Sequence, residues 1–269
     1  MEIGIHSLSF EAYLSASGVS NSMLRILSER TPMHLKCWME GEKPEPTEAQ
    51  KLGTITHRCI FEPDTMKDAF HVRPDGLKFT TNEGKAWKAQ HSDRLILSAD
   101  ESDTIASMVG AVHRHPIASR LLKNATFEQG VFVEDRNGIL RKLRPDILPN
   151  GGNILPDLKT CESAAPDDFT KAIGNFGYYR QGAYYLDGCK LAGREFDAFV
   201  LIAVEKTPPY AVACYQIEPM AIQLGRVQYQ RDLAIYAECL ASGKWPGYPE
   251  RISALSVPQW MQRALEAAL

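Results

Sequence analysis

Between residues 138 and 160 the chain sets three charges, Asp146, Asp157 and Lys159, into a stretch otherwise composed for burial. Ile139, Leu140, Leu143 and Ile147 precede the turn PNGG at 149–152, and Ile154, Leu155 and Leu158 follow it. Two apolar arms around an Asn-Gly turn predict a β-hairpin, with its arms over 138–148 and 153–160. Side chains alternate faces along a strand, so Asp157 and Lys159 project to one side, and pairing of the arms would bring Asp146 close to them. Asp beside Pro and Gly is ordinary turn chemistry, and D-x-K on an exposed strand is ordinarily a solvated face. The apolar flanks favour the other reading, because charges are seldom placed on a buried strand without a partner. Two carboxylates converging beside an ammonium suit a hard divalent cation such as Mg²⁺ that keeps part of its water. The lysine can then stabilise negative charge developing at phosphorus, or orient a water.

Around this stretch the pattern alternates between helix and strand. Ser20 or Ser22 can cap a helix carrying Met23, Leu24, Ile26 and Leu27, which Thr31-Pro32 ends. A second helix is predicted over 48–61, a loop with short extended pieces over 63–79, and capping boxes at Thr80/Glu83 and Ser98/Glu101, each opening a helix. Strands are predicted over 126–134, in the two hairpin arms, and over 198–204 and 211–217. A helix over 166–186 lies between them, and two more follow over 219–241 and 257–268. A helix crossing between strands implies a central mixed sheet flanked by helices, an α/β class. The 269 residues, 44% of them hydrophobic, suit one domain: a mainly helical part over 1–125, a sheet core over 126–217 and C-terminal helices over 218–269.

Composition narrows the function classes. No apolar run long enough to span a membrane occurs, and the first residues lack the basic-then-apolar pattern of a secretory signal, which predicts a cytoplasmic protein with no membrane partner. Six cysteines, Cys37, Cys59, Cys161, Cys189, Cys214 and Cys239, include no C-x-x-C pair, which argues against a disulfide scaffold, a zinc ribbon and an iron–sulfur cluster. A net charge of −3 is not the footprint of bulk electrostatic binding to nucleic acid, so any such binding needs its basic groups concentrated. Candidate basic segments are Arg25, Arg30 and Lys36, the RKLR run at 141–144, and Arg226 with Arg231.

RPD followed by a turn and PDLKT resembles the PD-(D/E)-x-K nuclease core, a restriction-endonuclease-like fold. Five further strings, in this order, make the chain similar to the exonuclease VIII (RecE) branch of that superfamily, related to phage lambda exonuclease and to RecB-like and YqaJ nucleases. They are GTITHRCIFEP around His57, GKAWKAQ around Trp87, FEQGVFVED around Glu128, YYRQGAYYLDG around Gln181, and FVLIAVEKTPPYAV around Glu205. The resemblance implies a bacterial or phage-encoded, Mg²⁺-dependent 5′-to-3′ exodeoxyribonuclease acting on linear double-stranded DNA, with Mn²⁺ as a substitute. It implies 5′-phosphorylated products, 3′ overhangs, a homotrimeric ring and an annealing partner of the RecT/beta type.

The resemblance also assigns roles. Asp146, Asp157, the main-chain carbonyl of Leu158 and His57 would hold one or two metal ions, while Lys159, Glu128 and Gln181 orient the attacking water. From the residues themselves, Gly53 and His57 share a face if 48–61 is helical. Gln181 and Tyr185 lie one helical turn apart, so an amide and a phenol meet on one face. Ser20, Ser22, Arg25, Arg30 and Arg144 are candidates for gripping DNA, the first four at a terminal phosphate near a helix N-terminus. A PD-(D/E)-x-K endonuclease would share every catalytic residue, and a non-catalytic DNA-binding module remains the reading outside enzymes.

Overall fold

The structure, a computed structural model, describes residues 2–41, 47–259 and 261–262. Strand β1 (Gly4–His6) leads into α1 (Phe10–Ser15), α2 (Asn21–Glu29), α3 (Pro32–Glu40) and α4 (Glu48–Phe61). A short 3₁₀ turn, Pro63–Thr65, precedes α5 (Met66–Ala69), β2 (Phe70–Val72), α6 (Asn82–Gln90), β3 (Leu95–Leu97), α7 (Ala99–Arg114) and α8 (Pro116–Leu121). Caps fix these starts. The Ser20 hydroxyl accepts the Met23 N–H, and reciprocal capping boxes, Thr47 with Gln50 and Ser98 with Glu101, open α4 and α7. The box expected at Thr80/Glu83 is corrected by one residue. Thr81 is the cap, accepting from Gly84 N, because residue 84 must pass so close to the Lys78 carbonyl that only glycine fits: a Cβ there would stand 2.1 Å from that oxygen.

The remaining elements are β4 (Ala125–Phe127), β5 (Gly130–Glu134), β6 (Leu140–Leu143), β7 (Ile147–Pro149), β8 (Ile154–Cys161), α9 (Pro166–Phe176), α10 (Tyr178–Leu191), β9 (Ala198–Glu205), β10 (Val212–Gln216) and α11 (Pro219–Ser242). The mixed α/β architecture flanked by helices is the one the sequence predicts. β8 and β9 run parallel with α9 and α10 as their crossover, and β10 pairs antiparallel to β9. The predicted hairpin needs correction. Its two arms form no shared ladder: β6 pairs with β5, β7 with β4, and β8 with β9. Pro145 cannot donate to a ladder, and at the next residue the Asp146 carboxylate takes the Leu158 N–H at 3.0 Å, in place of a strand carbonyl. Two long elements are likewise broken. Glu128, at φ 55°, interrupts the strand predicted over 126–134, and Gly177, at φ 67°, divides the predicted 166–186 helix into α9 and α10. The helix expected over 257–268 falls mostly outside the described residues.

Alternation along β9 divides the interior. Phe199, Leu201 and Ala203 face a core built with Leu143, Tyr184, Leu233 and Tyr229 from β6, α10 and α11, whereas Ile202 and Val204 face a second one with Ile60, Ile105 and Val112 from α4 and α7. In β8 the fully buried Leu155 and Leu158 divide the same way, so the strand is covered on both faces. Each such Leu or Val contributes about 1.5–3 kcal/mol on burial. Helices α10 and α11 touch backbone to backbone at Gly225, where a Cβ would lie 2.7 Å from Arg180 Cα. The result brings the middle of β8, the break at Asp146, the break at Glu128 and one face of α4 together.

Candidate active site

Asp157 and Lys159 do share a face of β8, and there the Lys159 ammonium pairs with Asp157 Oδ2. Asp157 is fully buried, and the Lys159 side chain is 16% exposed. From α10 the Gln181 amide donates to Asp157 Oδ1 at 3.1 Å, and the Tyr178 ring lies 4.9 Å from the ammonium. Burial, and then the neighbouring Asp146 carboxylate, push the Asp157 carboxyl up to about 6 against the opposing pull of Lys159. Burial works against the charged lysine, yet Asp157 and Asp146 outweigh it and raise its pKa.

Asp146 follows Pro145 between β6 and β7, and burial raises its carboxyl as well. Its Oδ2 accepts from Leu158 N and stands 3.6 Å from His57 Nδ1, which α4 delivers. Glu128 donates its own N–H to the Asp146 carbonyl at 3.0 Å. A non-glycine residue in the left-handed region costs about 1–3 kcal/mol and persists only where surrounding contacts hold it. Arg144 supplies them, with Nη1 2.6 Å from Glu128 Oε2 and Nε donating to the Glu128 carbonyl at 3.0 Å. One ligand atom each from His57, Glu128 and Asp146 lies within 4.8 Å of the others, and this is the only such His/Cys/Asp/Glu group among the described residues. Burial first, then Lys159, lower the His57 imidazole to about 4, so at neutral pH it is uncharged and offers a lone pair. Two carboxylates and a neutral imidazole are a donor set that fits Mg²⁺ or Mn²⁺.

The predicted residues therefore sort into groups. His57, Asp146, Asp157, Lys159 and Gln181 converge. Glu128, expected to orient water, stands within the candidate metal group itself. Leu158, expected to offer its carbonyl, reaches this group through its N–H. The Tyr185 hydroxyl donates to the Arg144 carbonyl at 3.2 Å, and Tyr178, not singled out from the sequence, is the aromatic beside the lysine. A signal for Tyr178 existed in its position three residues before Gln181, on the same face of α10.

The expected phosphate grip is more dispersed. Ser20 caps α2 and lies 2.9 Å, oxygen to oxygen, from the Ser22 hydroxyl. Arg25 pairs with Glu29 and donates to the carbonyls of Phe176 and Asn175, beside a polar cavity of about 280 Å³ that Asn21, Ser28, Arg180 and Arg231 also line. Arg30 is the exposed C-cap of α2. Arg144, expected on DNA, is engaged with Glu128.

No curated protein matches this chain. Among solved structures, a protein from Eubacterium rectale designated a "putative exonuclease" superposes with a TM-score of 0.64 at 14% identity, over 96% of this chain and 98% of that one, a likeness of fold. A second, SSO0001, aligns over 68% of this chain and 86% of its own at 15% identity, and its TM-score of 0.29 carries no weight. Residues 20–257 match the family described as a PDDEXK-like domain of unknown function, DUF3799, and the chain belongs to that family.

Proposed function

We propose that this protein is a metal-dependent exodeoxyribonuclease that degrades one strand of linear double-stranded DNA from its 5′ end. The observation that carries the reading is the convergence of His57, Glu128 and Asp146 beside the Asp157–Lys159 pair in a PDDEXK-like fold. His57, Glu128 and Asp146, with Asp157 beside them, would hold one or two Mg²⁺ ions, or Mn²⁺, which when bound would supply Lewis-acid stabilisation of the phosphoryl oxygens and lower the pKa of water. Lys159, kept charged by its two carboxylates, orients the attacking water and neutralises charge developing on the phosphorus oxygens. Gln181 and Lys159 engage one oxygen each of Asp157, which orients that carboxylate while each oxygen keeps a lone pair for an ion. Cleavage on this plan leaves 5′-phosphorylated products.

Strand polarity, 3′ overhangs for annealing recombination, a homotrimeric ring and a RecT/beta-type annealing partner rest on the resemblance to exonuclease VIII. The same reading places the protein in the cytoplasm, and no helix among the described residues is long and apolar enough to cross a membrane. A ring also answers the net charge of −3, because it can line its hole with basic segments while acidic surface faces outward. The test is digestion of linear duplexes labelled at either 5′ or 3′ ends, with Mg²⁺ and with chelator, alongside a covalently closed circle. Release of 5′-end label from linear DNA alone, only with metal and by a species of trimeric mass in light scattering, is the expected result. Cutting of the circle would make the protein an endonuclease, and inertness toward both substrates would leave the non-catalytic DNA-binding reading.

A further inference from the structure

We propose that Arg144 is a positioning residue for the metal group: its guanidinium grips Glu128 by carboxylate and carbonyl and so sets that carboxylate against His57 and Asp146. The inference rests on the metal-dependent reading above and goes beyond it, because Arg144 acts here through Glu128 and not on DNA.

Glu128 has reason to leave this position. Its backbone is left-handed at φ 55°, and its carboxylate is drawn into a group that already holds Asp146. Three contacts oppose this. Arg144 Nη1 meets Glu128 Oε2 at 2.6 Å, Arg144 Nε donates to the Glu128 carbonyl at 3.0 Å, and the Glu128 N–H is tied to the Asp146 carbonyl at 3.0 Å. Side chain and both main-chain polar groups of Glu128 are thus held, two of them by one planar guanidinium. A lysine ammonium, a point charge on a flexible stem, cannot span the two acceptors in that geometry.

The gripping residue is itself fixed. The Tyr185 hydroxyl donates to the Arg144 carbonyl at 3.2 Å, the Phe10 ring of α1 lies 5.2 Å from the guanidinium carbon, and the Arg144 side chain is only 15% exposed. A phosphate-binding arginine would keep its fork free for the ligand. Here Nε and Nη1 are spent on Glu128. Phe10 lies before residue 20, so this support comes from outside the segment that matches the family.

The experiment is calorimetric titration of metal-free protein with Mn²⁺, for the wild type, Arg144→Lys, Glu128→Gln and the double variant, with duplex affinity measured separately in chelator. Arg144→Lys is expected to weaken Mn²⁺ binding by about 10–100-fold, the usual effect of losing a residue that orients a ligand. Duplex affinity in chelator should not change. The double variant should bind Mn²⁺ no more weakly than Glu128→Gln, since both changes act on one carboxylate. Tyr185→Phe, which removes only the hydroxyl on the Arg144 carbonyl, should weaken Mn²⁺ in the same direction and serves if the lysine variant does not fold. Unchanged Mn²⁺ affinity, additive losses in the double variant, or a loss of duplex affinity with Mn²⁺ binding intact would overturn the positioning role alone. A wild type that does not bind Mn²⁺ would overturn the metal-dependent reading with it.

Discussion

Replacing Asp157 with Asn should change how the stability of the metal-free protein depends on pH. In the fold, burial and the nearby Asp146 raise the Asp157 carboxyl to about 6, against an ordinary aspartate value of about 3.9 in the unfolded chain. A raised carboxyl contributes stability that is fully present below the unfolded value and is lost as pH rises through the folded one. A rise of this size corresponds to a few kcal/mol over the whole range, of which about 1 kcal/mol falls between pH 5 and pH 8. Asp157 is fully buried, so solvent screening does not reduce the figure appreciably. Urea unfolding in chelator at pH 5 and pH 8 measures the difference for each protein, and comparing differences cancels the packing change made by the amide. The wild type should lose about 1 kcal/mol more than Asp157→Asn over that interval. Saturating Mg²⁺ should reverse the sign for the wild type, since the ion competes with protons for the same oxygens and binds more tightly as pH rises. Identical pH dependence in the two proteins without metal would refute the claim that Asp157 is a buried carboxyl with a raised pKa.

Three further outcomes follow from the same geometry. Lys159→Ala should abolish hydrolysis while leaving Mg²⁺ binding in place, whereas Asp157→Ala should lose both; turnover retained by either variant in an end-labelled assay would remove the pair from the chemistry. With Mg²⁺ held well below saturation, cleavage by the wild type should decline as pH falls through about 6, where the metal-free Asp157 takes up a proton, and saturating Mg²⁺ should move that decline to lower pH; a decline that Mg²⁺ concentration does not move would count against its role as a ligand. Gly225→Ala should cost about 1–3 kcal/mol in denaturant unfolding, because its Cβ would press on the Arg180 and Tyr179 main chain and force α10 and α11 apart; an unchanged midpoint would contradict that close contact.

The local level of this protein was written in its sequence. Ser20, Ser98 and Glu101 mark helix starts that form as predicted, and the bounds of α4 and the alternation that puts Asp157 and Lys159 on one face follow from residue order alone. These features depend on neighbours within a few positions, which is why a one-dimensional reading finds them. The convergence of Asp146 with Asp157 was also legible in outline, although the hairpin that suggested it does not form. What pairs with what was decided by long-range geometry. A turn signal shows that the chain reverses at 149–152, not that β8 will prefer β9, some 45 residues later, over the arm beside it. Glu128 illustrates the same limit. Nothing in FEQG shows that its backbone turns left-handed, because that conformation is favoured only once Arg144 and Asp146, from the segment after β6, hold it there, with Tyr185 of α10 holding Arg144 in turn. Residue types fixed which chemistry was possible, and tertiary packing decided which carboxylates stand together, because strain and burial at one residue are compensated by contacts from distant parts of the chain.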